Sequence, residues 1–94
     1  MSIDRERIFQ LINAERARQA QKWGQGDCSS LAVDPLVKSA VLTEEVGEVA
    51  RALLDREPAA QLITELVQVA AVAVAWLESL NVETYPHLFE DSSA

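Results

Sequence analysis

The sequence predicts an all-α fold: a helical bundle of three main helices per chain, completed by homo-oligomerisation. Three observations carry that expectation. Apolar residues recur at spacings of three and four over long stretches, and no segment alternates as a strand would. Acid–proline pairs at Asp34-Pro35 and Glu57-Pro58 punctuate the chain where helices begin. From Leu66 to Leu77, eleven of twelve residues are apolar, with Gln68 the exception. A helix apolar on all sides is buried on several sides, and a lone 94-residue chain has little with which to cover it.

The first helix is expected over about residues 3–22. Ile8, Leu11 and Ile12 give it a narrow apolar stripe, and Asp4 and Glu6 suit a first turn, where carboxylates oppose the helix dipole. Gly24 and Gly26 stop it and open a loop. Asp34 then caps a second helix with Pro35 at its first position, where a missing N–H costs nothing. That helix runs to about Asp55, with Leu42, Val46, Val49 and Leu53 along one face. Glu57-Pro58 repeats the device and opens a third helix ending near Leu80, with Asn81 as its stop. Ala70, Ala71, Ala73 and Ala75 leave that helix thin enough for close approach by others. Residues 1–82 therefore form one helical domain, followed by a C-terminal tail, 83–94.

Charge narrows the function. The net charge is −7, unevenly spread: residues 1–22 carry five basic against three acidic side chains, a net of +2, and residues 23–94 three basic against twelve acidic, a net of −9. Binding to a nucleic acid duplex runs on Lys and Arg contacts to phosphate, so it is not expected. The longest unbroken apolar runs fall short of the roughly 18–20 residues of a membrane span, so no membrane partner is expected. A single cysteine, Cys28, excludes an internal disulfide and suits a reducing, cytoplasmic setting. With one histidine, His87, no Cys/His zinc site can be built.

The chemistry-bearing residues are carboxylates. Residues three or four apart on a helix are neighbours, so Glu48 sits beside both Glu44 and Glu45. Val37, Val41 and Ala52 share their arc, unlike a plain solvated face. On the third helix Glu65 projects with Val69, Val72 and Trp76, and an ionised carboxylate among apolar groups is costly without a partner. Gln68 is its polar neighbour one turn on. A short connection favours antiparallel packing of helices two and three, which turns Glu65 toward Glu45 and Glu48. Four acids then converge where the sequence offers no evident base. Hard oxygen donors select Mg²⁺, with Mn²⁺ a possible substitute, and such ions complete their shells with waters and phosphate oxygens.

Glu44-Glu45-Val46-Gly47-Glu48 followed by Glu65-Leu66-Val67-Gln68 resembles the E-E-x-x-E … E-x-x-D signature of the MazG-like all-α nucleoside triphosphate pyrophosphohydrolases. Gln21-Lys22-Trp23-Gly24 also resembles the loop that often precedes it. The resemblance spans about residues 15–80. It implies a helical bundle assembled as a homodimer or homotetramer, Mg²⁺ held by the signature acids, and cleavage of a nucleotide substrate between the α and β phosphates to monophosphate and pyrophosphate. By position, Glu45, Glu48 and Glu65 would be metal ligands, and Glu44 a further ligand or the group orienting the attacking water. Trp23 would stack on the base, and Lys22 would reach phosphate or base.

Two departures stand out. Gln68 occupies the signature Asp position; it offers a neutral carbonyl to the metal and should weaken the site. No Lys or Arg follows Arg56, so phosphate contacts would come from the N-terminal basic helix, from Lys38 or from a neighbouring subunit. Arg16 and Arg18 read as solvated or as reaching phosphate, Trp23 as a base stacker or a cap on the core, Trp76 as core and His87 as surface. Two alternatives stand beside the enzyme: a nucleotide-binding module that hydrolyses little because of Gln68, and a helical interaction protein whose acids are only surface.

Overall fold

Asp4, Asp34 and Pro58 mark the starts of three helices in the computed structural model, which describes residues 2–80. Helix α1 spans Arg5–Trp23, a 3₁₀ turn spans Gly24–Gly26, α2 spans Pro35–Leu54 and α3 spans Ala59–Ser79. Among the described residues there is no strand, as expected. The tail 83–94, His87 and Asn81 lie outside them.

The helix ends have local causes. The Asp4 carboxylate accepts a 2.8 Å hydrogen bond from the Arg7 N–H, and Asp34 accepts one of 2.7 Å from Leu36, so each satisfies an orphan donor of its first turn. Helix α1 ends at Gly24, whose φ of +53° a side chain would disfavour. The end of α2 departs from expectation. Glu57 N–H bonds the Ala52 carbonyl (2.9 Å) and Arg56 N–H the Leu53 carbonyl (3.2 Å), the paired closure of a Schellman motif. Arg56 occupies the left-handed position, φ +54°, that glycine usually takes. Glu57 is thereby spent on closing α2, and Pro58 itself becomes the cap residue of α3, without a side-chain cap. Glu57-Pro58 thus does not repeat the Asp34-Pro35 device.

Helix α3 lies between the other two. It packs on α2 and on α1, while the backbones of α1 and α2 stay more than 8 Å apart. Val41 and Leu42 pack near Val72, and Glu45 lies by Gln68, so α2 and α3 run antiparallel. Arg16 reaches Glu78 and Ile8 lies near Ile63, so α1 and α3 run parallel. Two alanines of α3, Ala71 and Ala75, are wholly buried, and Ala75 clusters with Val72 and Cys28.

This core is small. Among the described residues no large side chain is fully buried, and Phe9, Leu36, Val46, Leu54 and Leu77 are exposed. Leu66, on the apolar helix that one chain was expected to cover poorly, is 50% exposed. It borders an apolar hollow of about 290 Å³ between α1 and α3, with Ile8, Leu11, Ile12, Ile63 and Val67. Over its whole length α3 is long and apolar enough to cross a membrane by length and composition. Gln61, Glu65 and Gln68 interrupt its apolar run without lowering its mean hydropathy below that of a membrane span.

The loop after α1 is tied down by Arg16. Its five N–H groups are all used: two bonds to the Asp27 carboxylate (2.8 and 3.1 Å), two to Glu78 (both 3.2 Å) and one to Gln19 (3.1 Å). Burial alone would pull the guanidinium pKa down, but the hydrogen bonds of Glu78 and Asp27 outweigh it and hold it above its ordinary value. Asp27 is likewise held below the usual carboxylate range, because its bonds from Arg16 and Ser29 overcome its burial. Arg16 is therefore buried and structural, not solvated as its sequence context implied.

Candidate functional site: a cleft over helix α3

Because α1 and α2 both pack on α3 while their backbones stay apart, a cleft of about 490 Å³ opens between them. Gln68 and Val72 of α3 form its floor. One wall is α2, with Val37, Val41, Glu44 and Glu45; the other is α1, with Glu15, Arg18, Gln19, Lys22 and Trp23. Gly26, Asp27 and Cys28 close one end. The volume is that of a small-molecule site.

Glu45 is the electrostatic centre. Its carboxyl is pushed above the usual range first by burial, then by the charges of Glu65, Glu44, Glu48 and Glu15. Glu65 is half-buried on α3; its Oε1 accepts a 2.7 Å hydrogen bond from Gln61. Between Glu45 and Glu65 stands the Gln68 amide. With its nitrogen turned outward, Nε2 donates to Glu65 Oε2 at 3.0 Å and to Glu45 Oε2 at 3.3 Å. The sequence-predicted acids thus share one neighbourhood but not one role: Glu44 and Glu45 line the cleft, Glu65 reaches it through Gln68, and exposed Glu48 lies outside it, acting on Glu45 through its charge. Among the described residues no three acids, cysteines or histidines approach closely enough to hold an ion by themselves. The set that does converge is two carboxylates and an amide. These are hard oxygen donors only, and they fit a hard divalent cation that keeps waters in its shell.

Facing the acids is α1, the basic helix from which phosphate contacts were expected, brought nearer to Glu45 than the sequence implied. Arg18 is bound to Glu15 through two hydrogen bonds of 2.6 and 2.8 Å and lies close enough to Glu45 to feel its charge. The same pairing holds Glu15 below its usual range. The signal was present: Glu15, Arg18, Gln19 and Lys22 recur at helical spacing along one face of α1. The acids therefore do not converge in the absence of bases.

Lys22 and Trp23, expected in a loop by the resemblance, form the last turn of α1 and line the cleft. The Trp23 ring is 57% exposed at the cleft mouth rather than capping the core, and Lys22 Nζ sits 4.9 Å from its centroid, a cation–π arrangement. Lys38 is elsewhere. It is 2% exposed, does not line the cleft, and lies near Cys28. Cys28 is buried and its thiol is pushed upward by burial and by Asp27, the opposite of an activated nucleophile.

The arrangement can bind a ligand that is anionic at one end and flat at the other. Arg18 and Lys22 suit an anion, Trp23 suits a π-face, and the Glu45–Gln68–Glu65 group suits a cation accompanying the anion. Comparison with family models, with curated proteins and with solved structures gave no match.

Proposed function

We propose that the chain is a Mg²⁺-dependent nucleotide pyrophosphohydrolase of the MazG-like kind, splitting nucleoside triphosphates or related nucleotides between the α and β phosphates. The observation that carries this is the two-sided cleft: Glu44 and Glu45 on one wall, Arg18, Lys22 and Trp23 on the other, and Gln68 between. A purely solvated acidic face would have neither a facing basic wall nor a cavity of nucleotide size.

In this reading Glu45, Glu65 and Gln68 hold the cation, with Glu48 adding charge from outside. Mg²⁺ bound there supplies neutralisation of phosphate charge and polarisation of a phosphoryl oxygen. Trp23 stacks on the base and Lys22 reaches the phosphates. Arg18 also serves the phosphates, which compete with Glu15 for its guanidinium. Glu44, exposed beside Glu45, orients the attacking water and takes its proton. The water oxygen bonds to phosphorus, the bridging P–O bond breaks, and a monophosphate and pyrophosphate leave.

We also infer that the working particle is a homodimer or homotetramer. Exposed Phe9, Leu54, Leu66 and Leu77, and the lack of a fully buried large side chain among the described residues, support it. The hydrogen-bonded Glu65 and Gln68 favour protein rather than lipid against α3. A binding module with little hydrolysis is the second reading, favoured by the neutral Gln68 at a ligand position.

The test is pyrophosphate release from a panel of nucleoside triphosphates with Mg²⁺ or Mn²⁺. Turnover lost in Glu45→Gln and in Glu44→Gln is expected. Calorimetric nucleotide binding without turnover selects the module, and neither binding nor turnover by folded protein refutes both.

A further inference from the structure

Arg16 and Arg18 stand two residues apart on α1 and use their donors differently. Arg16 commits all of its N–H groups inside the bundle. Arg18 commits two: Nε donates to Glu15 Oε1 at 2.8 Å and Nη2 to Glu15 Oε2 at 2.6 Å. A guanidinium carries five, so both hydrogens of Nη1 and the second of Nη2 are left, and they meet no acceptor among the described residues. Those hydrogens form the other fork of the guanidinium, which matches two oxygens of one phosphate. Arg18 lines the cleft, and Glu15 takes only one edge of it.

The hold on Arg18 is itself held. The Glu15 side chain is 12% exposed, and its Oε2 also accepts from Gln19 Nε2 at 3.3 Å. Gln19 is buried, and its Oε1 accepts from Arg16 Nη1 at 3.1 Å. Arginine only donates, so the Gln19 oxygen faces Arg16 and its nitrogen faces Glu15. Arg16 is clamped by Asp27 and Glu78. All of these links along α1 join residues three or four apart, which are neighbours on a helix. A chain of hydrogen bonds therefore runs from a guanidinium fixed in the bundle to one at the cleft that is 52% exposed. An exposed arginine ordinarily loses rotamer freedom when it binds an anion. Here that ordering is made before the anion arrives.

We propose that Gln19 and Glu15 are positioning residues for the polyphosphate group of the ligand: Gln19, oriented by Arg16, holds Glu15, and Glu15 holds Arg18 with its second fork open to phosphate oxygens. The inference rests on the nucleotide reading above. Phosphate competes with Glu15 for the charge of Arg18 but not for the same hydrogens.

The test is a double-mutant cycle on the full chain, read by calorimetric binding of inorganic tripolyphosphate with Mg²⁺. Gln19→Met keeps the stem and removes both links; it should weaken binding roughly fivefold. Arg18→Met should weaken it more, and adding Gln19→Met to Arg18→Met should weaken it no further. Gln19→Asn, whose shorter amide cannot span Arg16 and Glu15, gives the same comparison where Gln19→Met fails to fold. An equal loss in both backgrounds makes Gln19 merely structural and overturns the positioning role, as does no loss in either. Wild type that turns over nucleotide without binding tripolyphosphate overturns the positioning role alone. Wild type that does neither overturns the nucleotide reading with it.

Discussion

Replacing Arg16 by methionine keeps most of the aliphatic stem and removes all five N–H donors at once. The loss can be worked from their partners. Asp27 is 4% exposed and would be left as a buried carboxylate with only Ser29 to bond it. Breaking a buried pair by removing one partner costs about 3–5 kcal/mol, and the retained Ser29 bonds put this case at the low end. The Glu78 arm adds little, because that side chain is 48% exposed and water replaces the lost bonds. The expectation is therefore a loss of about 3 kcal/mol. A fold of this length has roughly 5–14 kcal/mol in total. In thermal unfolding followed by circular dichroism the midpoint should fall by roughly 12–24 °C, at matched chain concentration because association shifts the midpoint. Asp27→Asn in the Arg16→Met background should cost much less than alone, since the stranded charge is gone. A loss for Arg16→Met below about 1 kcal/mol would mean that Asp27 is solvated when unpaired, and would refute the assignment of Arg16 as the tie of the loop.

Three further outcomes follow from particular residues. Asp27 has a lowered folded pKa, so its contribution is present above the unfolded value of about 4 and fades as pH falls through the folded value; the stability gap between wild type and Arg16→Met should therefore narrow in acid, where the stranded Asp27 takes up a proton, and a gap that stays constant from neutral pH to about pH 3 by urea denaturation would refute the stranded charge as its cause. Arg56→Gly should stabilise by about 1 kcal/mol in urea denaturation, because only the left-handed strain of a side chain at that position is relieved; a loss of stability would mean that the Arg56 side chain makes a contact worth more than its strain. Leu66→Glu places a charge beside the apolar hollow and should turn an associated wild type into monomer by analytical ultracentrifugation, and an unchanged mass would move the interface elsewhere.

The elements legible in the sequence were those whose causes are local. Asp34 caps α2 because its carboxylate is two residues from the N–H it accepts from, and Gly24 ends α1 because its own backbone requires it. The Glu45–Gln68–Glu65 neighbourhood was legible at one remove, from helical faces and an antiparallel turn. What could not be read depends on partners distant in the chain. Arg16 looks like any surface arginine until Glu78, 62 residues on, and the loop carboxylate of Asp27 close around it. Lys38 sits one turn into an amphipathic helix, and nothing in that turn says its stem will be buried beside Cys28. Arg56 at a left-handed position defied propensity because the short connection to α3 fixes the backbone whichever residue stands there.

The placement of α1 has the widest consequence. Had α1 packed against both α2 and α3, the three helices would have closed a shared core and the cleft would not exist. It instead meets α3 alone, and its charged face is left turned toward α2 across open space. Separation of α1 from α2 thus leaves open the space between Arg18 and Glu45, where approach of the helices would bury both charges at a cost of several kcal/mol per ion.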